Sequence, residues 1–185
     1  MMPRDSHGAV TTARWNVLQS RWLEEDLQMV SGATTSGNRS WHEVDLVLIP
    51  SNVGGQHWLV VIIDLILGKV DIFDLWRQKV PHYIRKQQVR PLPWFLSSML
   101  NDAGFHTARR GGRRSFPREN KPFSVSVVLT STVPQQKKSG NCGPHTLRLI
   151  EYLLAGRSPF DWSEDDMGII REKMAVEIFC NSRPA

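Results

Sequence analysis

Cys142 is the residue of this sequence best suited to nucleophilic chemistry. It stands in the segment GNCGPH, directly before a predicted helix whose first turn includes Pro144. The unpaired N–H groups and the positive dipole end of a helix N-terminus favour the thiolate, which is the nucleophile that cysteine hydrolysis needs. Gly143 leaves room for a substrate carbonyl to approach the backbone. From this local pattern alone, a small buried residue at a helix start is an equally good interpretation.

An imidazole and a carboxylate lie at the ends of two neighbouring predicted strands. His57 precedes Trp58 at the start of one apolar strand, and Asp74 ends the next one. Adjacent antiparallel strands can bring a carboxylate to one ring nitrogen while the other nitrogen faces the thiol. Taken singly, His57 would be a structural histidine and Asp74 a turn or cap residue.

Gln136 lies six positions before Cys142 in the loop PQQKKSGNC. Its amide, together with the Cys142 backbone N–H, can stabilise the oxyanion of a tetrahedral intermediate. By itself Gln136 is an ordinary polar loop residue. A zinc site is not expected, because Cys142 and His145 form a single C-x-x-H pair and no spacing supplies two further ligands. We therefore expect no metal and no cofactor.

The elements that must position these residues alternate between strands and helices. Apolar runs predict strands, and Gly68 with Lys69 turns two of them into a hairpin at 58–74. Helical periodicity predicts a helix after Cys142 and a last helix capped by Ser163. The order predicts an α+β domain. The predicted strands are 44–50, 58–67, 70–75 and 123–130; the predicted helices are 15–30, 94–100, 144–155 and 163–179, the last with a buried stripe of Met167, Ile170, Met174 and Ile178.

Size and composition favour one domain in a reducing compartment. The chain has 185 residues, of which 41% are hydrophobic, and we expect a flexible tail at 1–14 followed by one domain at 15–185. Two cysteines offer no disulfide framework, and the apolar stretch 58–67 is too short to cross a membrane. We expect a soluble intracellular protein without a membrane partner.

Charge says little about partners. The formal net charge of +5 is too mild to select nucleic acid, and the arginine-rich segment 109–118 lacks interleaved aromatic residues. We expect this segment to be a solvated loop, with a nuclear import patch as the alternative. Nothing in the composition indicates an oligomeric state.

Two segments together resemble the Ulp1-type peptidases of ubiquitin-like modifiers. They are HWLVVIIDLILGKVDIFDL and PQQKKSGNCG, which carry His-Trp, an Asp seventeen positions after the His, and a Gln six before the Cys. The phrases IEYLLAG and WHEVDLVLIP look most like plant members associated with transposable elements. The resemblance spans residues 41–179.

The resemblance implies a papain-like fold, in which a central mixed or antiparallel sheet packs against helices and the cysteine lies at a helix N-terminus. It implies that His57, Asp74, Gln136 and Cys142 are catalytic, and that Trp58 covers the Gly-Gly tail of a modifier beside Gly143. The partner would be a SUMO-like modifier or its conjugates, and many members of the family are nuclear. Asn141 stands where the family usually has Asp, and the family's N-terminal segment is expected to be shortened.

Two other functions share these residues. The same triad can pass the acyl group to an amine, as in acetyltransferases with this fold, although Gln136 and Trp58 favour the peptidase. The third hypothesis is a catalytically weak or inactive protein, either a module that binds a ubiquitin-like modifier or a product derived from a transposable element. The shortened N-terminal segment motivates it, and retention of all four catalytic residue types argues against it.

Overall fold

The computed structural model describes residues 28, 30, 40–53, 57–76, 92–109, 121–128 and 133–181. The predicted tail at 1–14 lies outside this range, as does the predicted helix at 15–30 apart from residues 28 and 30, which are helical. The chain divides into two compact units. One comprises Met1–Val47, Leu65–Gly68 and Pro91–Ser124, and the other comprises Leu48–Asp64, Lys69–Arg90 and Val125–Ala185. The predicted single domain at 15–185 stays a prediction.

The second unit contains nearly all of a four-stranded sheet. Its strands are β1 (Leu46–Val53), β2 (His57–Asp64), β3 (Lys69–Phe73) and β4 (Ser124–Val127), in the spatial order β1-β2-β3-β4. Strands β2 and β3 pair antiparallel, with Val60 opposite Phe73 and Asp64 opposite Lys69. The predicted hairpin is thus confirmed. Strand β2 is buried along most of its length because its residues are apolar and β-branched, which suits a central strand covered on both faces.

Two helices of the second unit pack around this sheet. Helix α3 (Cys142–Leu154) packs against β2, and a short 3-10 helix, Glu164–Asp166, leads directly into α4 (Met167–Asn181). The predicted stripe of α4 is wrong at its end, since Ile178 is 68% exposed. The core covers only the first turns of this helix, because α4 extends past the cluster that buries it. That cluster consists of Val60, Leu75, Val133, Leu149, Tyr152, Trp162, Met167 and Ile170.

The first unit contains a 3-10 helix, Trp41–Glu43, and the helices α1 (Leu92–Asp102) and α2 (Phe105–Arg109). Arg109 is buried, and its Nη2 atom lies 2.5 Å from Oδ1 of Asp45. The prediction of a solvated loop is therefore wrong for Arg109, because the ion pair compensates its buried charge. Residues 110–118 of that segment lie outside the described range. No helix in the described part of the chain is both long and apolar enough to cross a membrane.

Candidate active site

The hairpin brings His57 and Asp74 together. His57 is the first residue of β2, and Asp74 directly follows the last residue of β3. Nε2 of His57 lies 2.8 Å from Oδ1 of Asp74, and both side chains are buried. The backbone N–H of Trp76 donates to the same carboxylate oxygen at 3.0 Å, and the Trp76 ring lies 6.0 Å from the imidazole. The turn after β3 thus holds the carboxylate against the imidazole.

This contact decides which nitrogen of His57 is left for chemistry. A carboxylate oxygen only accepts hydrogen bonds, so Nε2 carries the hydrogen and Nδ1 carries the lone pair of the neutral ring. Within the described part of the chain, Nδ1 of His57 is buried and has no hydrogen-bond partner. The imidazole is therefore oriented as a general base that accepts a proton at Nδ1.

Cys142 is the first residue of α3. The prediction had placed it just before the helix, which was expected to begin at residue 144. It is almost fully buried, and the preceding Asn141 is the N-cap. The first N–H groups of a helix have no partner within the helix, so the backbone around Cys142 can donate to an anion. This is the placement that a nucleophilic thiol with an adjacent oxyanion site requires.

Trp58 and Gly143 connect the start of β2 to the start of α3. A Cβ atom on Gly143 would lie 3.9 Å from Cδ1 of Trp58, so the indole lies near this glycine. Trp58 follows His57, Gly143 follows Cys142, and the indole is 39% exposed. The two predicted substrate-binding residues therefore lie near each other, and each directly follows in sequence one of the two residues predicted to exchange a proton.

Gln136 is fixed in the loop before α3. Its side chain is buried, and its backbone N–H donates to the Leu75 carbonyl at 2.6 Å. Nε2 of the neighbouring Gln135 donates to the Asp74 carbonyl at 3.3 Å. Nε2 of Gln136 donates to the Lys138 carbonyl, which uses one of the two N–H donors of a primary amide. The loop is thus attached to the segment that carries Asp74.

A buried pair that the sequence analysis missed lies next to this loop. Nε2 of His145 lies 2.7 Å from Oε2 of Glu164, and both side chains are almost fully excluded from solvent. Burial lowers the pKa of His145, and the hydrogen bond that its Nε2 donates to the Glu164 carboxylate offsets this only in part. Burial acts to raise the pKa of Glu164. Hydrogen bonds from Asn141, the Lys137 backbone and His145 together outweigh this effect, so the pKa of Glu164 is lowered.

Only an indirect sequence signal points to this pair. Ser163 and Asp166 form the capping box that marks the start of the last helical segment. Nothing in that pattern distinguishes the buried Glu164 from the exposed Asp165 beside it. His145 was predicted to lie on the first helical turn, near the site, and had no assigned role.

A family model described as "Ulp1 protease family, C-terminal catalytic domain" matches residues 16–183. The predicted resemblance to this family is confirmed. The prediction of a cysteine-type peptidase is confirmed at the level of the family. No curated protein matches the chain.

Solved structures support the predicted fold. The C-terminal Ulp1 protease domain in complex with Smt3, the yeast orthologue of SUMO, is 18% identical with a TM-score of 0.55, covering 85% of this chain and 60% of that one. The SUMO protease Ulp1 with its catalytic cysteine oxidised to a sulfenic acid is 18% identical with a TM-score of 0.60, and the match covers 91% of this chain and 66% of that one. The chain thus spans about two thirds or less of these proteins. The predicted α+β, papain-like fold is confirmed.

Proposed function

Because this chain belongs to the Ulp1 protease family, we propose that it is a thiol-dependent peptidase that cleaves after the C-terminal Gly-Gly of a ubiquitin-like modifier. The bond would be a peptide bond in a precursor or an isopeptide bond in a conjugate. The observation that carries the proposal is the 2.8 Å contact between His57 and Asp74. It leaves Nδ1 of the imidazole as a base, in the same compact unit as a thiol at a helix N-terminus.

The reaction begins with proton transfer from Sγ of Cys142 to Nδ1 of His57. The thiolate attacks the carbonyl carbon of the terminal glycine, and the π electrons move to the oxygen. The second N–H of the Gln136 amide and the Cys142 backbone N–H stabilise the resulting oxyanion. When the intermediate collapses, the C–N bond breaks and protonated His57 gives its proton to the leaving amine.

Hydrolysis of the thioester completes the cycle. The same imidazole takes a proton from water, and the hydroxide attacks the thioester carbonyl. The C–S bond then breaks, the modifier leaves with a free carboxylate, and the proton on His57 returns to the Cys142 sulfur. Asp74 keeps the imidazole in the Nε2–H tautomer throughout and stabilises its protonated form.

The proximity of Trp58 and Gly143 supports specificity for glycine. Gly143 has no side chain, so its backbone stays accessible beside the indole, and a tail that also lacks side chains can approach both residues. A Gly-Gly tail has that shape. The similar Ulp1 domain was solved in complex with a SUMO orthologue, which supports a SUMO-like modifier over ubiquitin as the substrate of this chain.

Cleavage of modifier fusions tests the proposal. SUMO-type and ubiquitin-type modifiers would each be fused through Gly-Gly to a reporter, with a Gly-Ala version of each as the substrate control. We expect the SUMO-type Gly-Gly fusion to be cut after the second glycine, as shown by product mass, and Cys142→Ala to abolish cleavage. A folded chain that binds a modifier and cuts none would support the non-catalytic binding module instead. Acyl transfer from acetyl-coenzyme A without proteolysis would support the acetyltransferase.

A further inference from the structure

The carboxylate of Glu164 accepts three hydrogen bonds while it is almost fully buried. Its Oε1 accepts from Nδ2 of Asn141 at 2.5 Å. Its Oε2 accepts from Nε2 of His145 at 2.7 Å and from the Lys137 backbone N–H at 3.2 Å. A buried carboxylate is costly unless such donors compensate it, so these contacts are tightly linked to the position of Glu164.

The three donors flank the residues proposed to do chemistry. Lys137 directly follows Gln136, Asn141 directly precedes Cys142, and His145 lies one turn further along α3. One carboxylate therefore holds both ends of the segment that separates the proposed oxyanion amide from the nucleophile. The spacing of these two groups depends on Glu164, although Glu164 itself lies outside the proposed reaction.

The orientation of the Asn141 amide is also determined. Its Oδ1 accepts hydrogen bonds from Nε and Nη2 of Arg171, at 3.2 and 2.7 Å. Nη2 of Arg171 also donates to the Gly140 carbonyl at 2.5 Å. Because guanidinium groups only donate and carboxylates only accept, the amide oxygen must face Arg171 and the amide nitrogen must face Glu164.

We propose that Glu164 is a positioning residue, which aligns Gln136 with Cys142 through its hydrogen bonds to Lys137 and Asn141. The role rests on the proposed peptidase function. Since Glu164 does not touch the substrate in that mechanism, its loss lowers kcat and leaves KM close to the wild-type value.

The polarity of the Asn141–Glu164 contact provides a rescue experiment. In E164Q, the introduced amide presents N–H groups to the N–H groups of Asn141. In N141D, two carboxylates face each other. In the double variant the donor and acceptor simply exchange places: the introduced amide donates to the introduced carboxylate, which still faces Arg171. The oxygen of the amide introduced at position 164 still accepts from the Lys137 backbone N–H and from Nε2 of His145.

The readouts are kcat and KM on the modifier fusion, with the thermal unfolding midpoint measured for each variant. We expect each single substitution to lower kcat by about 10- to 100-fold and the double variant to recover most of that loss. A double variant that regains the unfolding midpoint without regaining kcat would show a purely structural role and overturn the proposal. Single variants with wild-type kcat would overturn it as well.

A milder variant covers the case in which the single substitutions fail to fold. Arg171 is exposed, and Arg171→Ala removes the group that orients Asn141 without changing the buried carboxylate. Lys173→Ala, on the same helix and with its contact to Glu177, is the matched control. We expect kcat to fall in Arg171→Ala only, and equal kcat values in the two variants would contradict the alignment.

A second readout separates this inference from the proposed function. In a Cys180→Ala background, the rate of Cys142 alkylation by iodoacetamide is measured for the same variants without any modifier. We expect the rate to fall in E164Q and N141D and to recover in the double variant, because Asn141 directly precedes Cys142 and its amide donates to Glu164. Failure of the wild type to cleave modifiers would reject the peptidase proposal. Unchanged alkylation across the variants would reject the positioning role.

Discussion

The carboxylate of Asp74 accepts a hydrogen bond from Nε2 of His57, and the imidazole therefore presents Nδ1 as its basic atom. The contact joins the first residue of β2 to the residue that follows β3, and it is fixed by the register of one hairpin. Its geometry depends on local strand pairing within a well-buried part of the sheet. The loop before α3 adds hydrogen bonds to the carbonyls of Asp74 and Leu75.

Asp74→Asn tests the role of this carboxylate. The substitution keeps the size of the side chain and removes its charge, so a protonated His57 loses its stabilising partner. We expect kcat/KM for the modifier fusion to fall by about 100-fold or more, mainly through kcat. Asp71→Asn is the matched control, because Asp71 lies on β3 and contacts Lys69 and Ser126. Equal losses in the two variants would show that Asp74 acts through folding alone.

Gly143→Ala separates stability from activity. The added methyl group would lie 3.9 Å from the Trp58 indole, an ordinary contact, so the fold can accept it. Alanine favours helix over glycine, and we expect the unfolding free energy to stay the same or rise by up to about 1 kcal/mol. The methyl group adds bulk beside the backbone that the glycine tail is proposed to approach, so cleavage should be strongly reduced.

Gly168→Ala is the control for that substitution. Gly168 lies in the first turn of α4, and its added Cβ would meet nothing within 4 Å. We expect a comparable gain in stability with full activity. If Gly143→Ala cleaves the fusion as fast as the wild type, the substrate does not pass beneath Trp58.

His145 should make stability depend on pH. Burial lowers its folded-state pKa below the usual 6.5, so the unfolded chain binds the proton more readily. The contribution of His145 to stability is therefore fully present above pH 6.5 and is lost as the pH falls through the folded-state pKa. The folded-state pKa of Glu164 lies below its usual value of 4.5. Its contribution to stability is therefore lost at lower pH, as the pH falls through that folded-state pKa.

Denaturant unfolding between pH 7.5 and 5 measures this effect. His145→Gln keeps a donor toward Glu164 but does not titrate, so the decline in unfolding free energy should become shallower. Some decline should remain, because burial also lowers the pKa of His42. A decline as steep as that of the wild type would show that His145 is not the titrating group.

The sequence was sufficient where the structure depends on local pattern. The β2–β3 hairpin follows from an alternation of apolar runs with a Gly68-Lys69 turn, and it brings the segments that carry His57 and Asp74 side by side. The helix after Cys142 follows from Pro144 and the apolar spacing behind it. Both are short-range features, so the location of His57, Asp74 and Cys142 at the ends of strands and at a helix start could be predicted from local pattern, whereas their catalytic roles were inferred from the resemblance to the Ulp1 family.

The features that escaped prediction depend on contacts between segments far apart in sequence. Glu164 reaches Asn141 and His145 across about twenty residues, and a charged residue in a helical first turn is normally exposed. Ile178 fits the helical stripe of α4, but periodicity cannot show where the core ends. Arg109 looked like part of a basic loop because its partner, Asp45, lies in a different segment.

The central claim is that Cys142 is the nucleophile for a modifier's C-terminus. The most direct measurement incubates the chain with a SUMO-type modifier whose C-terminus carries a thiol-reactive group, and maps the adduct by peptide mass. We predict a stoichiometric adduct on Cys142, lost in Cys142→Ala and retained in Cys180→Ala, although Cys180 is the more exposed thiol. An adduct on Cys180, or none on a folded chain, would contradict the account.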